Sequence, residues 1–158
     1  MDEQQQDIRY AGFWRRFVAY LIDMVILSIP LLIITLAVFC IVAVQIDFST
    51  NKVTINQFFS IGIGYLVIFF VDLILPILYF AWLESSKWQA TIGKRVLGLK
   101  VIDTKGNPLT FWRALGRSFA MILSGIFYIG YIIAAFTERK QTLHDMIAGT
   151  SVIMDERN

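Results

Sequence analysis

Apolar residues arrive in long unbroken blocks along this chain, not at every second position or on one helical stripe. The first block runs from Phe17 to Val44. As a helix it would extend roughly 42 Å at ~1.5 Å per residue, more than the ~30 Å hydrocarbon core of a bilayer requires, so it predicts a tilted span or one bent at Pro30. A second block from Phe58 to Leu83 predicts another span, and it too contains a proline, Pro76. A third, Phe111 to Phe136, is interrupted by Gly125 and Gly130. Polar segments flank these blocks: residues 1–16, the loop 45–57, the loop 84–110 and the tail 137–158. The pattern changes once, where Arg95 to Asp103 alternates Leu97, Leu99 and Val101 and ends in the turn-rich Thr104-Lys105-Gly106-Asn107. That predicts a strand over 95–103. Its backbone groups need a partner, and Thr150 to Met154 is the other β-rich piece.

The expected architecture is an all-α integral membrane protein in one domain, with two full transmembrane helices, a third hydrophobic segment and a small cytoplasmic β pairing. If the two strands pair, the third segment must enter and leave on one face. A re-entrant helical hairpin of Phe111 to Ser124 and Ile126 to Phe136, turning near Gly125, would do this. The alternative is a third span. Gly116, Ala120 and Ser124 form a small-residue stripe suited to close helix packing in either case.

Composition agrees with the blocks: 57 % of residues are hydrophobic and 16 % charged, with a net charge of +2. The basic residues crowd two places. Arg9, Arg15 and Arg16 precede the first span, and Lys87, Lys94, Arg95, Lys100, Lys105 and Arg113 follow the second, whereas the loop 45–57 has only Lys52. By the positive-inside rule the N-terminus and the long second loop are cytoplasmic. Trp14, Trp82, Trp88 and Trp112 all fall on that inner boundary, where an amphipathic ring is well placed. A cleaved signal peptide fits poorly, because Asp2, Glu3 and Asp7 dilute the positive start and the apolar block is too long. Localisation in a bacterial cytoplasmic membrane follows, with the lipid bilayer as first partner and no nucleic acid expected. The single cysteine, Cys40, excludes an intrachain disulfide framework.

Charges inside the blocks carry the candidate chemistry. Asp23 lies deep in the first span, at a cost of ~2.5 to 3.5 kcal/mol unless it faces protein, pairs with a cation or is protonated. Arg117 and the Lys94-Arg95 pair are its candidate partners, and a register-fixing ion pair competes with a functional site. Asp72 sits near the middle of the second block, four residues before Pro76, which leaves the Asp72 carbonyl without a helical donor. Carboxylate and carbonyl together could hold a proton or small cation, or simply mark a proline kink beside a protonated acid. "ATIGKRVLG" at Ala90 to Gly98 lacks the earlier glycine and the Ser/Thr of a phosphate-binding loop. "QTLHDMIAGT" reads as a short helix capped by Thr142 and stopped at Gly149. His144 is the sole histidine, so a histidine-rich zinc or catalytic cluster is excluded, although a His144-Asp145 pair could titrate or bind an ion. No nucleophile and base pair up, so no enzyme, catalytic residue or cofactor is expected, and a metal ligand set is left unknown.

The pattern Arg16-x-x-Ala19-x-x-x-Asp23, then "ATIGKRVLGLKVID", "RALGR" at Arg113 to Arg117 and "RKQTLHDMIAGTSVI" at Arg139 to Ile153, resembles the RDD family of small membrane proteins over nearly the whole chain. The family's naming arginine and two aspartates correspond to Arg16, Asp23 and Asp145. Asp72 is not among them. The resemblance implies suspected transport, with one member linked to sodium/proton antiport, while other members look like accessory or scaffold proteins. Two functions are therefore expected to compete. One is a transporter or cation/proton antiporter using Asp23, Asp72 and Asp145, with Arg16 or Arg117 as competing counter-charge and a homo-oligomer enclosing the path of protons or monovalent cations. The other is a non-transporting scaffold that binds a partner protein or anionic lipid, with Arg16, Asp23 and Asp145 as an architectural clamp.

Overall fold

The computed structural model describes residues 9–46, 54–127 and 141–155, with side chains described to residue 122 in the middle segment. Helix α1 spans Phe13–Val44, α2 Ile55–Ser85, α3 Ile92–Val96 and α4 Phe111–Phe127; strand β1 is Leu99–Asp103, the short helix α5 is Leu143–Ala148, and strand β2 is Thr150–Met154. The two long helices have 32 and 31 residues and include both predicted spans, each overrun by a few residues. Only 6 % of the most apolar stretch of α1 and 11 % of that of α2 is buried inside the protein. A core helix of a soluble fold would show the reverse. Such continuous apolar exposure on helices this long is what lipid accommodates.

The chain divides into two compact units. One, Val25–Pro76, holds the distal parts of α1 and α2. Within it Gly64 lies so close to α1 that a Cβ would stand 2.8 Å from Val42 Cγ2. The Ser60 hydroxyl donates to Gln45 Oε1 at 2.5 Å at the loop end.

The other unit, Met1–Met24 with Ile77–Asn158, holds the remaining elements. Its sheet has β1 and β2 antiparallel, from Leu99 opposite Met154 to Asp103 opposite Thr150. The predicted pairing is therefore present. The predicted strand over 95–103 is too long, however: it begins at Leu99, because the Thr91 hydroxyl caps α3 by accepting from Lys94 N at 3.3 Å and Gly98 then turns the chain at φ +64°. The segment before α1 joins the sheet, with Ala11 N donating to Val152 O and Met154 N to Arg9 O. Asp103 closes the predicted turn by accepting from Lys105 N and Asn107 N, both at 2.8 Å. The packed interior is built of small and β-branched residues, chiefly Ala11, Ala19, Ala81, Ala114, Val101 and Val152, which lets backbones approach closely.

Helix α4 is inverted relative to a soluble amphipathic helix. Its inner face carries Ala114, Arg117 and Ser118, and its outer face Trp112, Phe119 and Ile122. It runs as helix through Gly125 to Phe127, so the expected turn near Gly125 does not occur there; the second half-helix, Ile126 to Phe136, lies almost wholly outside the described residues. Gly116 faces outward, and a Cβ added there would meet nothing within 4 Å, so it does not serve the close packing expected of the stripe; the Ser124 side chain is not among those described.

Candidate functional site

Five elements of the larger unit deliver charge to one interior. The first turns of α1 bring Arg16, the end of α2 brings Glu84, and α4 brings Arg117, while α3 and α5 add Lys94 and Asp145. They form one alternating chain. Lys94 Nζ pairs with Glu84 Oε1; Glu84 Oε2 accepts from Arg117 Nη1 at 2.7 Å. Arg117 Nη2 lies 2.8 Å from Asp145 Oδ1 as an ion pair without hydrogen-bond alignment, and Asp145 Oδ2 accepts from Arg16 Nη1 at 2.5 Å. Arg16 also donates from Nε to Ala11 O at 3.1 Å and from Nη2 to Val152 O at 3.2 Å, fastening both the N-terminal segment and β2. Glu84 and Asp145 are wholly buried and Arg117 is 1 % exposed. Ions removed from water to this degree are tolerable only when each has a counter-charge.

Local sequence explains why these groups arrive where they do. Thr142 stands in extended conformation before α5, its N–H donating to Asp145 Oδ2 at 3.1 Å, and Gly149 ends the helix in the left-handed region at φ 59°. The predicted capped helix is thus present, and it holds Asp145 rigid. The His144 ring contacts the Thr142 hydroxyl through Nε2 at 2.8 Å. Burial pushes the His144 imidazole down to about 3, against the pull of Asp145, so it is neutral at physiological pH. Burial opposes ionisation of Asp145, but Arg117, His144 and Arg16 outweigh it and hold the carboxyl well below the usual carboxylate range. Burial and then Arg117 lower the Lys94 ammonium, against Glu84.

Asp23 is not paired with any of the expected cations. Its oxygens accept from three neutral donors: Tyr79 Oη at 2.8 Å, Thr91 Oγ1 at 2.5 Å and Gly93 N at 2.8 Å. Neither Arg117 nor Lys94-Arg95 lies within ion-pair distance of it among the described residues, because Lys94 and Arg117 are turned to Glu84, and Arg95 stacks on Trp88 4.1 Å from its ring. The "ATIG" stretch has a structural purpose: Thr91 and Gly93 present a hydroxyl and a backbone N–H to the carboxylate, and Gly93 approaches so closely that a Cβ would stand 2.1 Å from Ala19 O. Asp72 does not join either group. It lies on an exposed face of α2 in the other unit.

Arg16, Asp23, Lys94 and Arg117 line one cavity of about 30 Å³, together with Phe17 and Met121. Sequence reasoning brought Arg16, Asp145 and Arg117 to this interior but missed Glu84, the carboxylate that binds two of the three cations. Its only signal was an acid standing at a boundary otherwise rich in lysine and arginine. Tyr79 was missed for want of any signal. Among the described residues no group of three His, Cys, Asp or Glu side chains is arranged to hold a metal ion.

These groups fall within residues 10–149, the stretch that matches the RDD family. The chain belongs to the RDD family. It is 40 % identical over 148 residues to the uncharacterized protein YxaI of Bacillus subtilis (strain 168), covering 90 % of this chain and 96 % of that one. It is 32 % identical to the uncharacterized membrane protein YteJ of the same organism, over 93 % of this chain and 82 % of YteJ. A third relative there, the uncharacterized protein YckC, is 30 % identical over 90 % of this chain and 83 % of its own length. No solved structure matches. With two long apolar helices and a relative described as a membrane protein, this RDD chain is a membrane protein.

Proposed function

We propose that this RDD protein is a non-transporting membrane module, an accessory or scaffold protein whose charge chain fastens a cytoplasmic cap to two transmembrane helices. The observation that carries the reading is the closure of its acids. Asp145 lies between Arg16 and Arg117, Glu84 between Lys94 and Arg117, and Asp23 under three neutral donors. A carboxylate that exchanges cations must release its ligand in each cycle, and breaking a buried pair of this kind costs about 3 to 5 kcal/mol. The positive-inside pattern supports a cytoplasmic N-terminus in a bacterial cytoplasmic membrane. The pairing of β1 with β2 supports a third segment that enters and leaves from that same face as a re-entrant hairpin. No catalytic step is assigned to the buried Thr142 hydroxyl and the His144 ring that meets it. The exposed tryptophans beside Arg95 and Arg113 fit an anionic lipid surface or a partner protein seated there.

The second reading, a cation or proton carrier working as a homo-oligomer, is favoured by Asp72, an exposed carboxylate within the apolar stretch of α2. Purified protein in sealed vesicles under a sodium or potassium gradient separates the two. The scaffold reading expects no proton flux above protein-free vesicles. Flux that Asp72→Asn or Asp145→Asn abolishes would replace it with the carrier.

A further inference from the structure

We propose that the outer face of α3, with Trp88 beside it, is a seat for an anionic phospholipid headgroup whose phosphate is held by Arg95. Helix α3 has two faces. Gly93 and Lys94 are buried against Asp23 and Glu84, whereas Ile92, Arg95 and Val96 are exposed. The Arg95 guanidinium stacks 4.1 Å from the ring of Trp88, which is itself exposed. Stacking uses the face of the guanidinium and leaves its N–H edge to take two phosphate oxygens.

The place of α3 along α1 decides what meets that face. Gly93 packs against Ala19 and Asp23, so α3 lies beside the second and third turns of α1 and not beyond its end. Val25–Val44, the part of α1 in the other unit, is about 30 Å long at ~1.5 Å per residue and fills a hydrocarbon core by itself. The turns beside α3 therefore run through the headgroup layer, where an amphipathic element with a tryptophan and a cation lies in the plane of the membrane. Charge selects the kind of lipid. Among the described residues of this unit Asp23, Glu84, Asp103 and Asp145 are buried and Asp155 is paired with Lys100, whereas Arg9, Arg15, Lys87, Arg95, Lys105 and Arg113 are exposed. A zwitterionic headgroup brings an ammonium of its own to this cationic surface; an anionic one does not, and is the better complement. Trp14, Trp82 and Trp112, 73, 74 and 77 % exposed, belong to the same unit and suit the same layer, which an acidic soluble partner would not require.

Phosphatidylglycerol is the probe. The full chain with Trp14, Trp82 and Trp112 replaced by Phe keeps Trp88 as its one tryptophan and is placed in vesicles of phosphatidylglycerol and phosphatidylcholine in equal amounts. Bromine on the chains of one lipid or the other, close to the headgroup, quenches the tryptophan it touches. Brominated phosphatidylglycerol is expected to quench with about a fivefold preference, the weight of one cation near an anionic surface. Arg95→Gln should bring the two lipids to nearly equal quenching, and Arg95→Lys, which keeps the charge, should retain the preference. If the triple variant does not fold, the difference between the native chain and Arg95→Gln is read from all four tryptophans. Equal quenching with Arg95 in place, or a preference that survives Arg95→Gln, overturns the site. Quenching by neither lipid also overturns it and leaves the face to a protein partner. The site rests on the reading of this chain as a membrane module with a cytoplasmic cap, yet the two fail separately: proton flux removes the scaffold without touching lipid preference, and equal quenching removes the lipid site without creating flux.

Discussion

Arg117 holds two carboxylates with one guanidinium, Nη1 on Glu84 and Nη2 beside Asp145. Arg117→Met keeps much of the side chain's bulk and removes that shared charge, leaving Glu84 to Lys94 alone and Asp145 to Arg16 alone. The expected loss is about 3 to 5 kcal/mol, read as a lowered unfolding midpoint in detergent micelles. Glu84→Gln added to Arg117→Met should cost less than the two separately, because contacting charges couple by about 0.5 to 3 kcal/mol. Legibility at this scale followed burial cost. Asp23 and Arg117 announced themselves by lying within or beside apolar blocks, and Asp145 by a cap motif. Glu84 stands one residue past an apolar block, where an acid looks solvated, and only the fold shows it wholly buried. The donors to Asp23 were illegible for another reason: a hydroxyl from α2 and an amide from α3 meet it across more than fifty residues of sequence.

Among the elements, α3 is the smallest and the most exacting. Its five residues put Gly93 N on Asp23 Oδ1 and leave no room for a side chain, since an added Cβ would stand 2.1 Å from Ala19 O and 2.9 Å from Asp23 Cγ. The Ala19 carbonyl is backbone of α1 and cannot yield without moving the helix. Gly93→Ala is expected to cost about 3 kcal/mol or more by overpacking. Gly116→Ala, in the interior of α4 with open space around it, should instead stabilise by about 0.5 to 1 kcal/mol. Thermal unfolding of the two variants side by side checks the contrast. The long helices were legible because lipid-facing apolar blocks need no tertiary context. The boundary between α3 and β1 was not, because alternating Leu97, Leu99 and Val101 suits a strand until Thr91 caps the turn before it.

For the whole molecule the decisive arrangement is that Arg9 and Ala11, which precede α1, bond to the same β2 that pairs with β1. Segments before the first long helix, after the second and after the third hydrophobic segment thus meet in one sheet. Reporter tags at the two ends of the chain are expected on the same, cytoplasmic side of the membrane; tags on opposite sides would require a third crossing. The signal was present in the sequence as two β-rich pieces, but the charge bias alone left the hairpin and the third span open. The same arrangement sets an order in time. During synthesis α1 and α2 are made while Arg16 and Glu84 still lack the partners that arrive with Arg117 and Asp145. The interior therefore stays open until residues 141–154 are made, and a ribosome that stalls before Gln141 leaves Arg16 without its Asp145 counter-charge.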